Sequence, residues 1–142
     1  MIDCRAHPAV SAGMDAFTDG LAWARSVCLA LPDAFEEDAW VGTRWKVRNN
    51  TFAHVLEIVE GYPPAFAAAA RTDGPATVLT FRSSGSELDA ILTGTAFFGP
   101  LWNRGDVGVR LDLHRDWSEL AELVVESYRL RAPRTLVRRL DL

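Results

Sequence analysis

The sequence predicts an α+β domain, with helices packed on one mostly antiparallel sheet. Three observations lead there. Apolar residues recur at helical spacing in some segments and at period two in others. Phe17, Leu21, Ala24, Cys28 and Leu31 fall at steps of four and three, whereas Val107, Val109, Leu111 and Leu113 alternate with Gly108, Arg110, Asp112 and His114. Helical and extended segments do not alternate regularly, as parallel crossover units would require. Finally, 142 residues, 49% hydrophobic and 24% charged, suffice for one core and not for two. No repeat, low-complexity linker or boundary divides the chain, so residues 1–142 read as a single domain. Within it, 1–12 is a loose lead-in and 131–142 a basic C-terminal tail.

The first helix is expected over 14–31. Pro32 stops it, because the residue before a proline is pushed out of the α region. Phe35 to Trp40 reads as a short strand or extended loop. Arg44-Trp45-Lys46-Val47-Arg48 alternates at period two and reads as a strand over 44–48. Asn49-Asn50 then supplies a two-residue turn into a returning strand over 51–56. That loop places Val47 opposite Phe52 and Trp45 opposite His54, all on one sheet face. Arg44, Lys46 and Arg48 take the other. Gly61-Tyr62-Pro63-Pro64 breaks the chain, Ala65 to Arg71 is a helical turn or two, and Asp73-Gly74-Pro75 breaks it again. Residues 76–82 read as a strand. Ser84-Gly85-Ser86-Glu87 has capping-box spacing and opens a short helix ended by Gly94. Residues 97–106 read as a loop whose aromatics must dock, and 107–113 as the cleanest strand. Asp116, with Glu119 three residues on, starts a helix over 116–130. Leu136, Val137 and Leu140 suggest a last short one.

Fifteen cations against nineteen anions give a net charge of −4. A strongly basic nucleic-acid binder would show the opposite sign. Residues 129–142 nevertheless carry five arginines against Asp141, leaving the other residues at −8. Fourteen of the cations are arginine, and with 20 alanines this composition suits a GC-rich bacterial source. Cys4 and Cys28 are too few for a disulfide framework, and Cys28 lies on the apolar helical stripe. The first ten residues lack the apolar stretch of a secretory signal, and no apolar run approaches a membrane span. A cytoplasmic protein is the expectation.

Catalytic signatures are missing. His7, His54 and His114 share no metal-ligand spacing. No G-x-S-x-G, dinucleotide fingerprint or phosphate-binding loop occurs, and capping accounts for a serine among Ser83, Ser84 and Ser86. Asp33, Glu36, Glu37 and Asp38 read as a solvated acidic loop. No enzyme activity and no metal or organic cofactor is expected. Two features stand out instead. Arg44, Lys46 and Arg48 form a row on one side of a hairpin, spaced roughly 7 Å apart, and Arg131, Arg134, Arg138 and Arg139 make the tail basic. Together they form a candidate phosphate-binding face. The five tryptophans, Trp23, Trp40, Trp45, Trp102 and Trp117, read mainly as core, with Trp45, His54 and Trp102 as an alternative pocket.

Cys28-Leu29-Ala30-Leu31-Pro32, Glu36-Glu37, Trp40-Val41-Gly42, the Val47 strand and Thr51-Phe52-Ala53 resemble the N-terminal half of the MmcQ/YjbR-like proteins. Val107 to Leu113, Glu119-Leu120, Leu123, Glu126-Ser127-Tyr128 and Ala132-Pro133-Arg134 resemble their C-terminal half. The similarity spans about residues 20–138 and consists of apolar and turn positions. It implies the α+β fold called double-wing or frataxin-like, in a family often described as DNA-binding, with no established enzyme activity. The chain departs from that pattern at Asn49-Asn50, where many members have Gly-Lys, and at Asp106, near where many have a tryptophan. The 57–75 stretch looks like an insertion. Two functions follow as expectations. One is weak, sequence-insensitive DNA binding or regulation through Arg44, Lys46, Arg48 and the tail. The other is a small-molecule or protein interaction domain using Trp45, His54 and Trp102. No membrane partner is expected.

Overall fold

The computed structural model describes residues 12–114 and 116–141, without the side chains of 12–15. The expected lead-in, apart from Ala12, lies outside them. The order is α1 (Ala12–Cys28), β1 (Phe35–Asp38), β2 (Thr43–Val47), β3 (Asn50–Ile58), α2 (Pro64–Ala70), β4 (Ala76–Arg82), α3 (Gly85–Thr93), β5 (Phe97–Phe98), β6 (Asp106–Arg110), α4 (Trp117–Arg131) and α5 (Arg134–Leu140). The strands form one six-stranded sheet in the order β1-β2-β3-β4-β6-β5. Every pairing is antiparallel. The α+β fold class and the single sheet read from periodicity are those observed.

α1 and α4 cover one face. Trp45, Val55, Leu79, Phe81, Val107 and Val109 point into that layer and meet Ala24, Cys28, Leu120, Val124 and Tyr128. Trp23 and Trp117 bring the helices together, their ring centroids 5.0 Å apart. Tyr128 meets Phe52 edge-on at 5.3 Å and donates its hydroxyl proton to the Pro32 carbonyl at 2.7 Å, which satisfies the one polar atom such a ring takes inside. The other face carries a smaller cluster, Leu56, Ile58, Ala76 and Val78, covered by Ala67 and Phe66 of α2. α2 covers only that end, and the remainder of the face stays open.

Several boundaries differ from expectation. α1 ends at Cys28, although Leu31 is still buried beyond it. Residues 35–38 form a strand, and its two glutamates, Glu36 and Glu37, are paired, not merely solvated. Glu36 takes Arg25 Nε at 2.8 Å and the Trp45 indole N–H at 3.0 Å, tying β1 to α1. Those hydrogen bonds, Arg25 first, hold the Glu36 carboxyl below its ordinary range. Ser84 occupies the α3 N-cap, but its side chain makes no capping bond, whereas Asp116 Oδ1 accepts from Glu119 N at 3.1 Å as its spacing predicts. The last long strand stops at Arg110. Leu111 N still donates to Thr77 O at 2.8 Å, but the Asp112 carboxylate then takes the Thr77 N–H and closes the sheet end. Leu113 is left exposed.

The central hairpin has a different register. Val47 pairs with Asn50, so the turn is Arg48-Asn49, with Arg48 in the left-handed region at φ 56°. The register then shifts between Trp45 and Lys46, leaving Phe52 without a partner on β2. Trp45 therefore opposes Ala53, and His54 opposes Arg44. Trp45 and His54 lie on opposite faces of the sheet.

Candidate functional site: a cavity on the open half of the sheet

The uncovered half of the second face forms a cavity of about 680 Å³. Its floor is the cross-strand row Arg44, His54 and Thr80, with Arg82 one step along β4. Period two dictates this set: Trp45, Val55, Leu79 and Phe81 turn to the helices, so the alternate residues turn away. Gly108 continues the row on β6, and a Cβ there would lie 2.5 Å from the Phe98 ring, so only glycine lets that ring cross the strand. The walls come from three connections. The 39–42 turn supplies Trp40, the start of α2 supplies Pro63 and Phe66, and the 101–106 loop supplies Trp102 and Asp106. Gly42 makes the first turn possible: at φ 79° a Cβ would lie 2.1 Å from the Val55 carbonyl oxygen.

Aromatic rings dominate one end. Phe66 meets Trp102 edge-on at 5.1 Å and His54 at 6.1 Å. Trp40, 5.9 Å from Tyr62, and Trp102 are 85% and 61% exposed, so both stand at the mouth. Neither belongs to the core, contrary to the expectation for the tryptophans as a group. His54 is half-buried, its Nε2 2.5 Å from the Val41 carbonyl oxygen. A carbonyl only accepts, so Nε2 carries the proton. Burial, seconded by the neighbouring Arg44 charge, lowers the pKa of His54 despite that bond.

Charge gathers at the other end. Arg82 Nη1 lies 3.2 Å from Asp106 Oδ1, while Asp106 Oδ2 accepts from both the backbone and side-chain nitrogens of Asn103 at 3.1 Å. Arg131, the last residue of α4, reaches the same end. Its Nη2 donates to Asn50 Oδ1 at 3.3 Å, and its Nε is buried without a partner. Burial first, and then the nearby Arg82 charge, lower the pKa of Arg131.

The expected sites are thus redistributed. Of the pocket trio, His54 and Trp102 line the cavity. Trp45 does not, being fully buried on the helix face. The hairpin row is not a free row of cations. Arg44 Nε donates to Glu37 at 2.6 Å, Lys46 lies 3.5 Å from the same carboxylate, and Arg48 pairs with Asp33 at 3.0 Å. The tail does fold back towards the hairpin turn, but Asp33 stands between them, 3.7 Å from Arg139. Arg134 and Arg138 are exposed on α5 and line no part of the cavity. Arg131 belongs to the cavity. Trp40, Phe66 and Arg82 escaped the sequence reading. The signal for Arg82 was present, since alternation along 76–82 sets Thr80 and Arg82 opposite Leu79 and Phe81. Among the described residues, no cluster of three or more His, Cys, Asp or Glu could hold a metal ion, and no helix is long and apolar enough to cross a membrane.

A comparison with curated proteins finds no match. The model of the YjbR family, in contrast, matches residues 29–130, a span that holds every strand of the sheet and all but one of the cavity's lining residues, Arg131. The chain belongs to the YjbR family.

Proposed function

We propose that the protein works as a binding domain for a small molecule held in this cavity, without catalysing a reaction. The observation that carries this reading is the cavity itself. At about 680 Å³ it falls within the range of small-molecule sites, and its wall is mainly apolar and aromatic with a few charged groups. Two exposed tryptophans at its mouth are costly to leave in water without a function. The absence of catalysis is supported by the lining. No serine, cysteine or lysine is among it, and His54 has its Nε2 committed to the Val41 carbonyl. A DNA-binding role draws less support, because Glu37 and Asp33 lie among the cations it would use.

Thermal melting against a panel of metabolites tests the proposal. A ligand present at about 100 times its Kd should raise the melting temperature by roughly 10 °C. The shift should vanish in Trp102→Ala, whose exposed side chain is not needed for folding. A panel without any hit, or hits that persist unchanged in Trp102→Ala, would overturn it.

A further inference from the structure

Resting on the cavity reading, we infer that the ligand is a small aromatic molecule bearing a carboxylate or phosphate, its anion held between Arg82 and Arg131 and its ring against Phe66 and Trp102. The chain as a whole is negative, at −4. The cavity is not: three arginines, Arg44, Arg82 and Arg131, line it against one acid, Asp106. Arg44 is neutralised from outside the cavity by Glu37. The surplus therefore sits on Arg82 and Arg131.

Neither is well matched. Charge-assisted N–H···O bonds run at about 2.7–2.9 Å, whereas Arg82 stands 3.2 Å from an Asp106 carboxylate whose other oxygen serves Asn103. Arg131 has no carboxylate within ion-pair reach among the described residues, only the 3.3 Å bond to a neutral amide and a buried Nε with no acceptor. A partly desolvated guanidinium lacking an anion is costly, and two side by side repel. An incoming anion would relieve both effects at once, and the planar guanidinium fork suits carboxylate and phosphate oxygens alike. Towards the mouth the charge gives way to rings. The 101–106 loop spans both ends, carrying Trp102 to Phe66 and Asp106 to Arg82, so one compact ligand can touch rings and cations together.

Calorimetric titration with a matched series tests this: 2-naphthol, 2-naphthoate and 2-naphthyl phosphate share one ring system and differ in charge. At least one anion should bind the parent about tenfold or more tighter than the neutral naphthol, as a charged hydrogen bond implies. Whichever anion prevails tells carboxylate from phosphate. Arg131→Gln should remove that advantage, so that the favoured anion and naphthol bind the variant alike. Arg82→Gln, with Asp106 still held by Asn103, repeats the test should Arg131→Gln not fold. Naphthol binding as tightly as both anions, or an advantage that survives both substitutions, overturns the anion site while the cavity reading stands. So does a series that fails to bind while the metabolite panel still yields a Trp102-dependent ligand. If neither the series nor the panel binds, both proposals fall.

Discussion

His54 is a half-buried imidazole in a wall of aromatic rings, and its environment has a consequence for acid stability. Burial lowers its pKa from the 6.5 of an exposed histidine, and the Arg44 charge acts in the same direction. The unfolded chain therefore takes up this proton at a higher pH than the folded one. Stability contributed by neutral His54 is intact above the unfolded value and is lost as the pH falls from there to the folded value. Urea unfolding of the parent should show declining stability below about pH 6.5. His54→Gln, whose amide can still donate to the Val41 carbonyl, should decline less steeply over the same window. Equal slopes for parent and variant would mean that His54 titrates alike in both states. The opposite case is Cys28, whose thiol burial pushes up and the Glu36 charge raises further, which leaves it an inert core group.

At the scale of elements, the hairpin bulge and α4 depend on each other. The register shift leaves Phe52 without a partner on β2. The fully buried Ser127 of α4 fills the gap: its hydroxyl donates to the Phe52 carbonyl at 2.6 Å and accepts from Arg82 N at 2.8 Å. One hydroxyl thus joins α4 to two central strands and holds the backbone at the cavity floor. Ser127→Ala leaves a buried carbonyl and a buried N–H unpaired, so urea unfolding should show a loss of about 2–4 kcal/mol. A loss below about 0.5 kcal/mol would mean that the pair is satisfied otherwise. This bulge is also where legibility in the sequence ends. The alternation in 44–48, the strand at 76–82 and the Asp116 cap depend on local preferences and can be read one residue at a time. The turn cannot, because Arg48-Asn49 and Asn49-Asn50 both give two-residue loops. Nothing local separates them, and the bulge accompanies long-range contacts: Trp45 and Phe52 are both buried in the core that α4 covers, and Phe52 meets Tyr128. Moving the turn by one residue on each strand alone would keep His54 on the face of Trp45; the extra residue of the bulge is what sends it to the face of Arg44 and into the cavity. Trp40 was unreadable for a related reason: composition places tryptophan inside, and only the three-dimensional path of its loop puts it at the mouth, beside the Trp102 that the sequence already offers as a pocket residue.

At the scale of the whole molecule, distribution of charge matters more than its sum. Cations and acids from different segments meet at β1 and just before it, so Glu37 faces Arg44 and Lys46, and Asp33 faces Arg48 and Arg139. A phosphate backbone approaching this side would have to displace those carboxylates or dock beside them, and the remaining surface is acidic on balance. Each phosphate contact on duplex DNA contributes about −0.9 to the slope of log K against log salt. An uncompensated hairpin and tail, offering three to five contacts, would give roughly −3 to −4.5. With the acids in place, fluorescence anisotropy of a labelled duplex should show no association at about 150 mM salt, and only a shallow slope of about −1 to −2 at low salt. Replacing Arg44, Lys46 and Arg48 together by glutamine should leave that weak signal nearly unchanged, since these groups already answer to Glu37 and Asp33. A steep slope in the parent that flattens in the triple variant would show that DNA strips the acids away, and would return the hairpin face to the centre of the protein's function in place of the cavity.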